Sequence, residues 1–562
     1  MFDSLKYQIY NRLWLAAGLR PTHKFHRALH SPEKFQESIL LSLLRANATC
    51  RYGRRHGFDQ IHSVQEFQRR VPIVTYDDLK NDIEAIKNGE QGVLTSESVL
   101  MLEKTAGSTA ATKYIPYTAR LRREFQVALA PWMADLYGQR RSMWNGGAYW
   151  SISPPFEKRE MTKGGVPVGF ETDADYFCRS SRFCLKSLLI VPSLVSRIVD
   201  LDSHRYVTLR FLLENVNLKL ISVWNPSFLT LLIEYMAPNA NRFIQDVRFG
   251  TLSPPAALSA ELSAQLLKHL YPNPYRAAVL DQILKDTGSL PPMKVWPSLS
   301  VISCWTSAAA TQFLPEMQNF FPGVEIQPKG LLATEGVVSI PMTGHSGSVL
   351  AITSHFLEFI DDETVDEMPL LAHQLRVGRT YDVVLTTGGG FYRYALGDRL
   401  TVVGHLGATP LVDFCGKSGN VSDLCGEKLS ESFVSGILVQ AFERRGLKTR
   451  FAMIAPQPGR PPQYVLYVEA NDATPELIRD VSYDIETELK QNYHYAYCRK
   501  LRQLGPLRPF RVVSHGSQDY LRRCAASGQR IGSVKPFALH RQDGWCTWFK
   551  GDFLDRVPAE TL

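Results

Sequence analysis

The sequence predicts an α/β protein with a large N-terminal domain and a smaller C-terminal domain. The chain has 562 residues, which is too many for one hydrophobic core, so more than one domain is expected. Between residues 96 and about 415, apolar runs typical of strands alternate with helix-like runs, which favours an α/β architecture with substantial parallel sheet. A glycine-rich stretch then contains Gly416, Gly419 and Gly426. It predicts a hinge and places the domain boundary between residues 422 and 423.

Residues 1 to about 95 are predicted to be mainly helical. One apolar face repeats at three- and four-residue steps through Phe35, Ile39, Leu40, Leu43 and Leu44. The first 30 residues also carry several basic side chains beside Trp14 and Phe25. A helix lying on a membrane surface is one interpretation of that segment. Docking of the segment onto the core of its own domain is the expected one.

Within the central region, individual elements can be placed. Leu218 to Trp224 is predicted to be a strand between helices over 209–217 and 227–236. Val383 to Thr387 is predicted to be a buried strand, which the three glycines at 388–390 bring to an end.

The C-terminal region is predicted to be a small unit of strands around a helix. Strand-like runs occupy 464–468 and 510–513. Between them, Thr474 can cap a helix whose apolar side chains recur every fourth residue, at Leu477, Val481, Ile485 and Leu489. This pattern predicts an α+β fold for residues 423–562.

Composition narrows the class of protein. The chain has 63 basic and 55 acidic residues, a net charge of +8, and no long run of lysine and arginine, so nucleic acid is not an expected partner. The nine cysteines are dispersed without a C-x-x-C pair, which indicates a reducing compartment rather than a disulfide framework. No stretch reaches the roughly 18 apolar residues of a spanning helix. The prediction is a cytoplasmic protein with no membrane span.

The most informative segment runs from Lys104 to Lys113. It combines small residues, which let backbone N–H groups approach an anion, with the hydroxyls of Ser108 and Thr109 and the ammonium of Lys113. Apolar residues before it and an X-Pro pair after it predict extended flanks. The loop suits a triphosphate, although its spacing is not that of a P-loop. A solvated turn is the alternative interpretation.

Two further segments offer carboxylates. Thr334 and Glu335 lie between Gly330 and Gly336, after a strand-like run, and a carboxylate there could hold Mg²⁺. Asp398 follows a glycine and an aromatic run. In this position its carboxylate could accept hydrogen bonds from a ribose diol. For each carboxylate, an acidic residue in an ordinary surface turn is the alternative.

Two lysines of the C-terminal region complete the candidates. Lys428 follows Gly426 and Glu427, and Lys535 lies between small residues and a proline, which constrains its backbone. A solvated loop lysine is the alternative for Lys535. Serine hydrolase and zinc chemistry are not expected, because the chain has no G-x-S-x-G elbow, no H-E-x-x-H and no closely spaced set of His and Cys ligands.

Taken in order, these segments resemble the adenylate-forming enzymes, and more closely their acyl acid–amido synthetase branch, the Gretchen Hagen family. The resemblance rests on five blocks: the phosphate loop at 106–113, Trp224 to Ser227, Ala333 to Gly336, His355 to Ile360 and Tyr392 to Asp398. It covers about residues 70 to 540.

The resemblance implies a large adenylation domain over 1–422, similar to that of acyl-CoA synthetases, and a lid domain over 423–562. A carboxylic acid would react with Mg·ATP to give acyl-AMP, and an amine, commonly an amino acid, would take the acyl group. ATP and Mg²⁺ are the implied cofactors. Gly107, Ser108, Thr109 and Lys113 would hold phosphates, Thr334 and Glu335 the nucleotide and its magnesium, and Asp398 the ribose. Lys417 and Lys428 would lie near the nucleotide, and Lys535 would stabilise charge at the α-phosphate.

The sequence departs from the family pattern at several positions. Ala110 and Thr112 replace a usual glycine and proline, Leu331 replaces the usual adenine-stacking tyrosine, and Lys417 replaces an arginine. A lysine at 417 cannot make the bidentate fork of an arginine.

Three hypotheses follow for the activity. The leading one is an acyl acid amido synthetase. A second keeps the adenylation and uses coenzyme A or a carrier thiol as acceptor. A third is an inactive nucleotide-binding partner protein, suggested by Leu331 and Lys417.

Overall fold

The computed structural model describes residues 2–106, 112–151, 160–169, 179–361, 368–417, 421–527, 529 and 534–554. The chain forms two compact units. The first comprises Met1–Trp224, Phe228–Trp305 and Phe320–Phe414, and the second comprises Asn225–Ser227, Thr306–Asn319 and Cys415–Leu562. None of the described helices is long and apolar enough to cross a membrane.

The helices of the first unit begin near the N-terminus. They are α1 (Phe2–Ala17), α2 (Leu19–Ala28), α3 (Pro32–Asn47), α4 (Arg51–Arg55), α5 (Val64–Arg70), α6 (Lys80–Lys87), α7 (Ala119–Gln139), α8 (Arg179–Leu188), α9 (Leu201–Glu214), α10 (Pro226–Met236), α11 (Ala240–Phe249), α12 (Ala260–Leu267), α13 (Pro274–Thr287) and α14 (Pro292–Val295). The mainly helical character expected before residue 95 is confirmed by α1 to α6. The expected apolar face lies on α3, where Leu40, Leu43 and Leu44 are fully buried.

The strands of the first unit begin after α6. They are β1 (Met101–Ala106), β2 (Thr112–Tyr117), β3 (Gly147–Trp150), β4 (Glu160–Met161), β5 (Pro167–Val168), β6 (Leu218–Ser222), β7 (Val301–Cys304), β8 (Glu325–Pro328), β9 (Ser339–Pro341), β10 (Ser348–Leu350), β11 (Phe356–Asp361), β12 (Leu370–Leu371), β13 (Thr380–Thr386), β14 (Tyr394–Leu406) and β15 (Thr409–Lys417). The helix expected over 209–217 is the C-terminal half of α9, which begins at Leu201 because Asp200 caps it through the Ser203 amide.

Three sheets organise these strands. A parallel sheet has the order β3-β6-β7-β8, which confirms the expected parallel component. A seven-stranded sheet has the order β12-β11-β13-β14-β15-β10-β9, and its described pairings are antiparallel. A small sheet, β2-β1-β5-β4, carries the predicted phosphate loop between its first two strands. The large antiparallel sheet was not anticipated, because a sequence shows which runs are strand-like but not which of those strands pair.

The second unit is smaller and has its own core. Its elements are α15 (Leu314–Phe320), β16 (Val421–Ser422), β17 (Leu429–Ser430), α16 (Glu431–Arg445), β18 (Phe451–Gln457), β19 (Gln463–Glu469), α17 (Pro475–Leu489), α18 (Tyr493–Lys500), β20 (Arg508–Val512), α19 (Gly516–Ala526) and β21 (Gly551–Phe553). The sheet order is β18-β19-β20-β21, with antiparallel, parallel and antiparallel pairs. The Thr474 hydroxyl caps α17 at the Leu477 amide, as expected.

Candidate active site

The predicted phosphate loop joins two paired strands. β1 and β2 are antiparallel, and Thr105 on β1 lies opposite Lys113 on β2. Both extended flanks expected from the sequence are therefore present. Gly107, Ser108 and Thr109 lie outside the described residues, so Lys113 is the member of the predicted loop whose side chain can be placed.

Lys113 is held between two tyrosines from other parts of the first unit. Its ammonium lies 3.4 Å from the Tyr394 hydroxyl and 5.7 Å from the centre of the Tyr76 ring. The Tyr76 hydroxyl in turn accepts a hydrogen bond of 2.8 Å from the Tyr114 amide, the next residue on β2. The half-buried side chain of Lys113 is thus directed at Tyr394, which belongs to the block ending at Asp398.

Thr334 and Glu335 form the tip of a tight turn. Ala333 and Gly336 exchange two backbone hydrogen bonds of 3.0 and 3.2 Å, which close the turn beneath the tip. The Tyr117 hydroxyl at the end of β2 donates to the Thr334 carbonyl oxygen. The phosphate-loop hairpin is therefore fastened directly to the turn that carries Glu335, which is 8% exposed.

Tyr394 contacts Lys113 and is influenced by the charges of two further predicted residues. Burial is the main cause that raises the pKa of Tyr394, and the negative charges of Glu335 and Asp398 raise it further. Those two carboxylates and the Lys113 ammonium therefore act on one phenol. Glu335, the nearer of the two carboxylates in sequence, is 222 positions from Lys113.

A buried ion pair explains how Tyr394 is positioned. Arg393 precedes it with a φ of +48°, a backbone conformation that side-chain-bearing residues rarely adopt. The Arg393 guanidinium donates to both oxygens of Glu358 on β11, at 3.1 and 3.2 Å, and to the carbonyls of Gln68 and Val71, at 2.7 Å each. Burial raises the pKa of Glu358, and the Arg393 charge opposes that shift. This pair joins two of the five blocks of the resemblance, and sequence reasoning did not identify it.

A second buried network supports the Glu335 turn from behind. The Val337 amide, which can only donate, donates to Nε2 of His355 at 3.0 Å, so Nε2 carries no proton. Nδ1 of His355 lies 3.1 Å from Oε2 of Glu124 on α7 and is its donor in the neutral ring. The same Glu124 oxygen accepts from the Gly388 amide at 2.8 Å.

This network also accounts for the glycine at 388. A Cβ there would lie 2.6 Å from Cγ of Arg120 and 2.7 Å from a Glu124 oxygen, so a larger residue would displace both side chains. Glu124 lies on α7 with no recognisable motif around it, so the sequence did not indicate its role.

Leu331 occupies a structural position. It is 5% exposed and belongs to the large hydrophobic core of the first unit. Its amide donates to the Ser339 hydroxyl at 2.9 Å. The side chain that stands in place of the expected tyrosine therefore packs inside the protein.

The remaining predicted residues belong to the second unit. Lys417 is half-buried at the end of β15, whose residues from Cys415 onward are part of this unit. Lys428 is exposed with a φ of +45°, next to Glu427, whose buried carboxylate accepts from the Leu424 and Cys425 amides at 2.7 and 2.8 Å. The Lys535 carbonyl accepts from the Tyr520 hydroxyl at 2.9 Å.

The block around Asn225 contacts the Lys535 segment within this unit. The Asn225 amide group donates to the Val534 carbonyl at 3.3 Å, while its carbonyl oxygen accepts from the Ser227 amide at 2.9 Å. Two blocks that sequence analysis singled out separately are therefore neighbours.

Three family descriptions match the chain in order. They are the GH3 family N-terminal domain over residues 21–326, the GH3 family central domain over 348–417 and the GH3 family C-terminal domain over 438–542. The chain belongs to the GH3 family. The predicted membership in this family, whose initials stand for Gretchen Hagen, is confirmed.

Curated relatives and solved structures agree with that assignment. The chain is 24% identical over 542 residues to an indole-3-acetic acid-amido synthetase of Arabidopsis thaliana, GH3.10, covering 86% of this chain and 88% of the relative. It is 26% identical over 527 residues to another from the same plant, GH3.15, covering 87% of each. The structure of the GH3.15 acyl acid amido synthetase in complex with 2,4-DB superposes with a TM-score of 0.81 at 20% identity, over 96% of this chain and 98% of that one. The predicted fold class is thereby confirmed, and the predicted enzyme class is the one named for these relatives.

Proposed function

We propose that this GH3 family protein is an ATP-dependent ligase that joins a carboxylic acid to an amine, with an amino acid as the amine. The acid carboxylate displaces pyrophosphate from the α-phosphate of ATP and forms acyl-AMP. The amine then attacks the acyl carbon, AMP leaves, and the product is an amide.

The observation that carries this proposal is the contact of Lys113 with Tyr394, a buried phenol whose pKa is raised mainly by burial and further by the charges of Glu335 and Asp398. A triphosphate needs cationic donors, a bound magnesium ion needs carboxylate oxygen, and a ribose diol needs an acceptor. The Lys113 ammonium and the carboxylates of Glu335 and Asp398 would supply these three functions in this proposal. In the proposal, Gly107, Ser108, Thr109 and Lys113 bind the β- and γ-phosphates, and Asp398 binds the ribose.

Magnesium is assigned to Glu335, with Thr334 beside the nucleotide. Among the described residues, no group of three or more His, Cys, Asp and Glu side chains is arranged to hold a metal ion. A magnesium ion at Glu335 would therefore take its remaining ligands from phosphate oxygens and water, which is the usual arrangement for this ion. It would neutralise phosphate charge during the first half-reaction.

The lysines of the second unit are assigned to a lid over residues 423–562, with Lys417 just before its hinge. Lys428 lies near the nucleotide in this proposal, and Lys535 stabilises the charge that develops at the α-phosphate. A reducing, cytoplasmic location completes the proposal. It is supported by the cysteines, which are all free among those the structure describes.

The test is ATP–pyrophosphate exchange with the full chain against a panel of aromatic and aliphatic carboxylic acids. The acids that stimulate exchange are then offered with amino acids, other amines and coenzyme A, and the products are identified by mass spectrometry. We expect acid-dependent exchange and an amide product. A thioester as the product of every acid would reassign the protein to the thiol-using ligases, and ATP binding without any turnover would support the inactive partner protein.

A further inference from the structure

The N-terminal helix α1 docks on the first unit through only one of its faces. Tyr7 and Trp14 are each 7% exposed, and the buried Asn11 amide group donates to the Trp144 carbonyl at 3.0 Å. The Trp14 ring meets the Tyr137 ring edge-on at 5.8 Å. The docking expected from the sequence is therefore present, and it fixes which face of α1 points outward.

The outward face of α1 is an apolar stripe. Leu5, Ile9 and Leu13 follow one another at four-residue steps, and they are 55%, 49% and 55% exposed. Leu19 at the start of α2 is 62% exposed, and Phe183 on α8, whose ring lies 6.0 Å from that of Tyr10, is 65% exposed. Scattered exposed leucines are ordinary in proteins, but an aligned row is a feature of interaction surfaces.

The charges around the stripe have one sign. Residues 4–32 contain five basic side chains and no aspartate or glutamate, and all five are exposed: Lys6, Arg12, Arg20, Lys24 and Arg27. Lys6 and Arg12 are three residues to either side of Ile9. At about 100° per residue, they lie about 60° to each side of the stripe. An apolar stripe edged by basic side chains is the pattern of a helix that lies in the plane of a membrane surface.

We propose that this N-terminal surface, comprising the stripe and its five basic residues, binds an anionic lipid bilayer. The leucines and isoleucine enter the boundary between headgroups and acyl chains, while the lysines and arginines keep their charged ends at the lipid phosphates. Nucleic acid would satisfy the charges but offers no apolar medium for the stripe. A second copy of the chain would place five positive charges against five positive charges. With 16 residues, α1 lies on the bilayer and does not cross it.

Co-sedimentation with lipid vesicles tests this proposal. We expect the full chain to sediment with vesicles of phosphatidylcholine mixed with phosphatidylserine, and to stay in solution with phosphatidylcholine alone. Rising salt should release it, because surface charges are screened. A single basic side chain near an anionic surface contributes about a fivefold factor, so Arg20→Gln with Lys24→Gln and Arg27→Gln should lower partitioning on the order of 100-fold. Leu5→Ser with Ile9→Ser and Leu13→Ser should lower it at least about tenfold.

The matched control replaces three aromatic side chains that are exposed elsewhere on the first unit. Phe249, Tyr271 and Tyr275 are 61%, 68% and 82% exposed in the first unit, and their triple replacement by serine should leave vesicle binding unchanged. The variants should keep the circular dichroism and the ATP–pyrophosphate exchange of the parent, because no replaced residue lies in the candidate active site. Loss of exchange in the parent would therefore count against the proposed function and not against lipid binding.

Three results would overturn the proposal. The first is a parent protein that ignores phosphatidylserine vesicles, and the second is equal loss of binding in the control triple. The third is that the parent protein is a dimer and becomes a monomer when Leu5, Ile9 and Leu13 are replaced, since the stripe would then be an interface between copies. The surface would be reassigned to nucleic acid if the protein bound single-stranded RNA and no vesicles. In that case the Arg20, Lys24 and Arg27 replacements should abolish RNA binding, and the Leu5, Ile9 and Leu13 replacements should preserve it.

Discussion

Lys113 is the residue whose side chain the structure ties most directly to the predicted nucleotide site. Its ammonium on β2 lies 3.4 Å from the hydroxyl of Tyr394 on β14, a strand that is distant in sequence. Its proposed role as a phosphate ligand can be tested separately from its contribution to packing, because its side chain is only half-buried.

Lys113→Met should reduce kcat/KM for ATP by about 10²–10³-fold, because methionine keeps the length of the side chain and removes the charge. Acid-dependent pyrophosphate exchange at several ATP concentrations measures this loss. Lys163→Met, in the exposed turn between β4 and β5 of the same small sheet, is the control and should behave as the parent. Equal rates for the Lys113 variant and the parent would remove Lys113 from the nucleotide site.

His540 makes the stability of the second unit depend on pH. Burial among aromatic rings, aided by the nearby Arg523 charge, lowers the pKa of His540 from its ordinary 6.5 to about 4. Its Nδ1 accepts from the Gln542 amide and from the Trp545 ring nitrogen, at 3.1 and 3.4 Å, which a protonated ring cannot do.

The sign of the effect follows from these two values. Between pH 6.5 and about 4 the unfolded chain binds the proton and the folded chain does not, so stability falls as the pH is lowered through this window. The loss reaches up to about 3 kcal/mol. Urea unfolding at a series of pH values measures it, followed by tryptophan fluorescence, to which Trp545 beside His540 contributes. His540→Asn keeps an acceptor and removes the titration, so its profile should be flatter, and an unchanged profile would contradict the assignment.

At the scale of elements, buried polar contacts fasten the strands and turns of the site to one another. The Glu358–Arg393 pair connects β11 to the start of β14, and it also holds α5 through Gln68, whose side chain donates to Glu358 at 2.9 Å. Because every partner is buried, removing one of them leaves a buried charge or polar group of the others without a partner.

Glu358→Gln should therefore lower the free energy of unfolding by about 3–5 kcal/mol, since the Arg393 charge loses its buried partner. Denaturant unfolding measures this change. Glu90→Gln is the matched control, because Glu90 pairs with Arg51 on the surface, where both side chains are about half exposed. It should change stability by less than about 1 kcal/mol. Equal effects of the two substitutions would show that the buried pair is not a structural joint.

The hydrogen bond from Tyr117 connects the phosphate-loop hairpin to the Glu335 turn. Tyr117→Phe should leave the Thr334 carbonyl unsatisfied and loosen the turn, with a fall in kcat/KM for ATP of about tenfold, equivalent to about 1.4 kcal/mol. Tyr114→Phe on the same strand is the control and should have no comparable effect. The pair of variants is compared by pyrophosphate exchange and by thermal unfolding, and a loss of stability without a change in kinetics would limit Tyr117 to packing.

At the scale of the molecule, each of the two units has clusters of buried apolar side chains of its own, which indicates two folding units. One cluster of buried side chains runs from Tyr7 to Val412, and another runs from Leu429 to Leu539. The described members of each cluster lie within one unit. Separate cores allow separate unfolding.

Differential scanning calorimetry should therefore resolve two transitions. Saturating ATP should raise the midpoint of the transition that belongs to the first unit, because a ligand that binds only the folded state stabilises it. Tryptophan fluorescence of a chain unfolded at the first transition, compared with its circular dichroism, assigns the transitions to units. A single cooperative transition with equal calorimetric and van't Hoff enthalpies would contradict this expectation.

The sequence alone determined the helical N-terminal region, the parallel strands, the capped helix α17 and the GH3 resemblance. These depend on residues close together in the chain, where periodicity, capping and motif spacing act directly. The tertiary structure decided that Lys113 faces Tyr394, that Glu358 pairs with Arg393 and that Glu124 supports His355. Such contacts join positions as far as 281 residues apart, as in the Lys113–Tyr394 contact. They form only when strand pairing and helix packing bring the segments together, and no local pattern of residues encodes that.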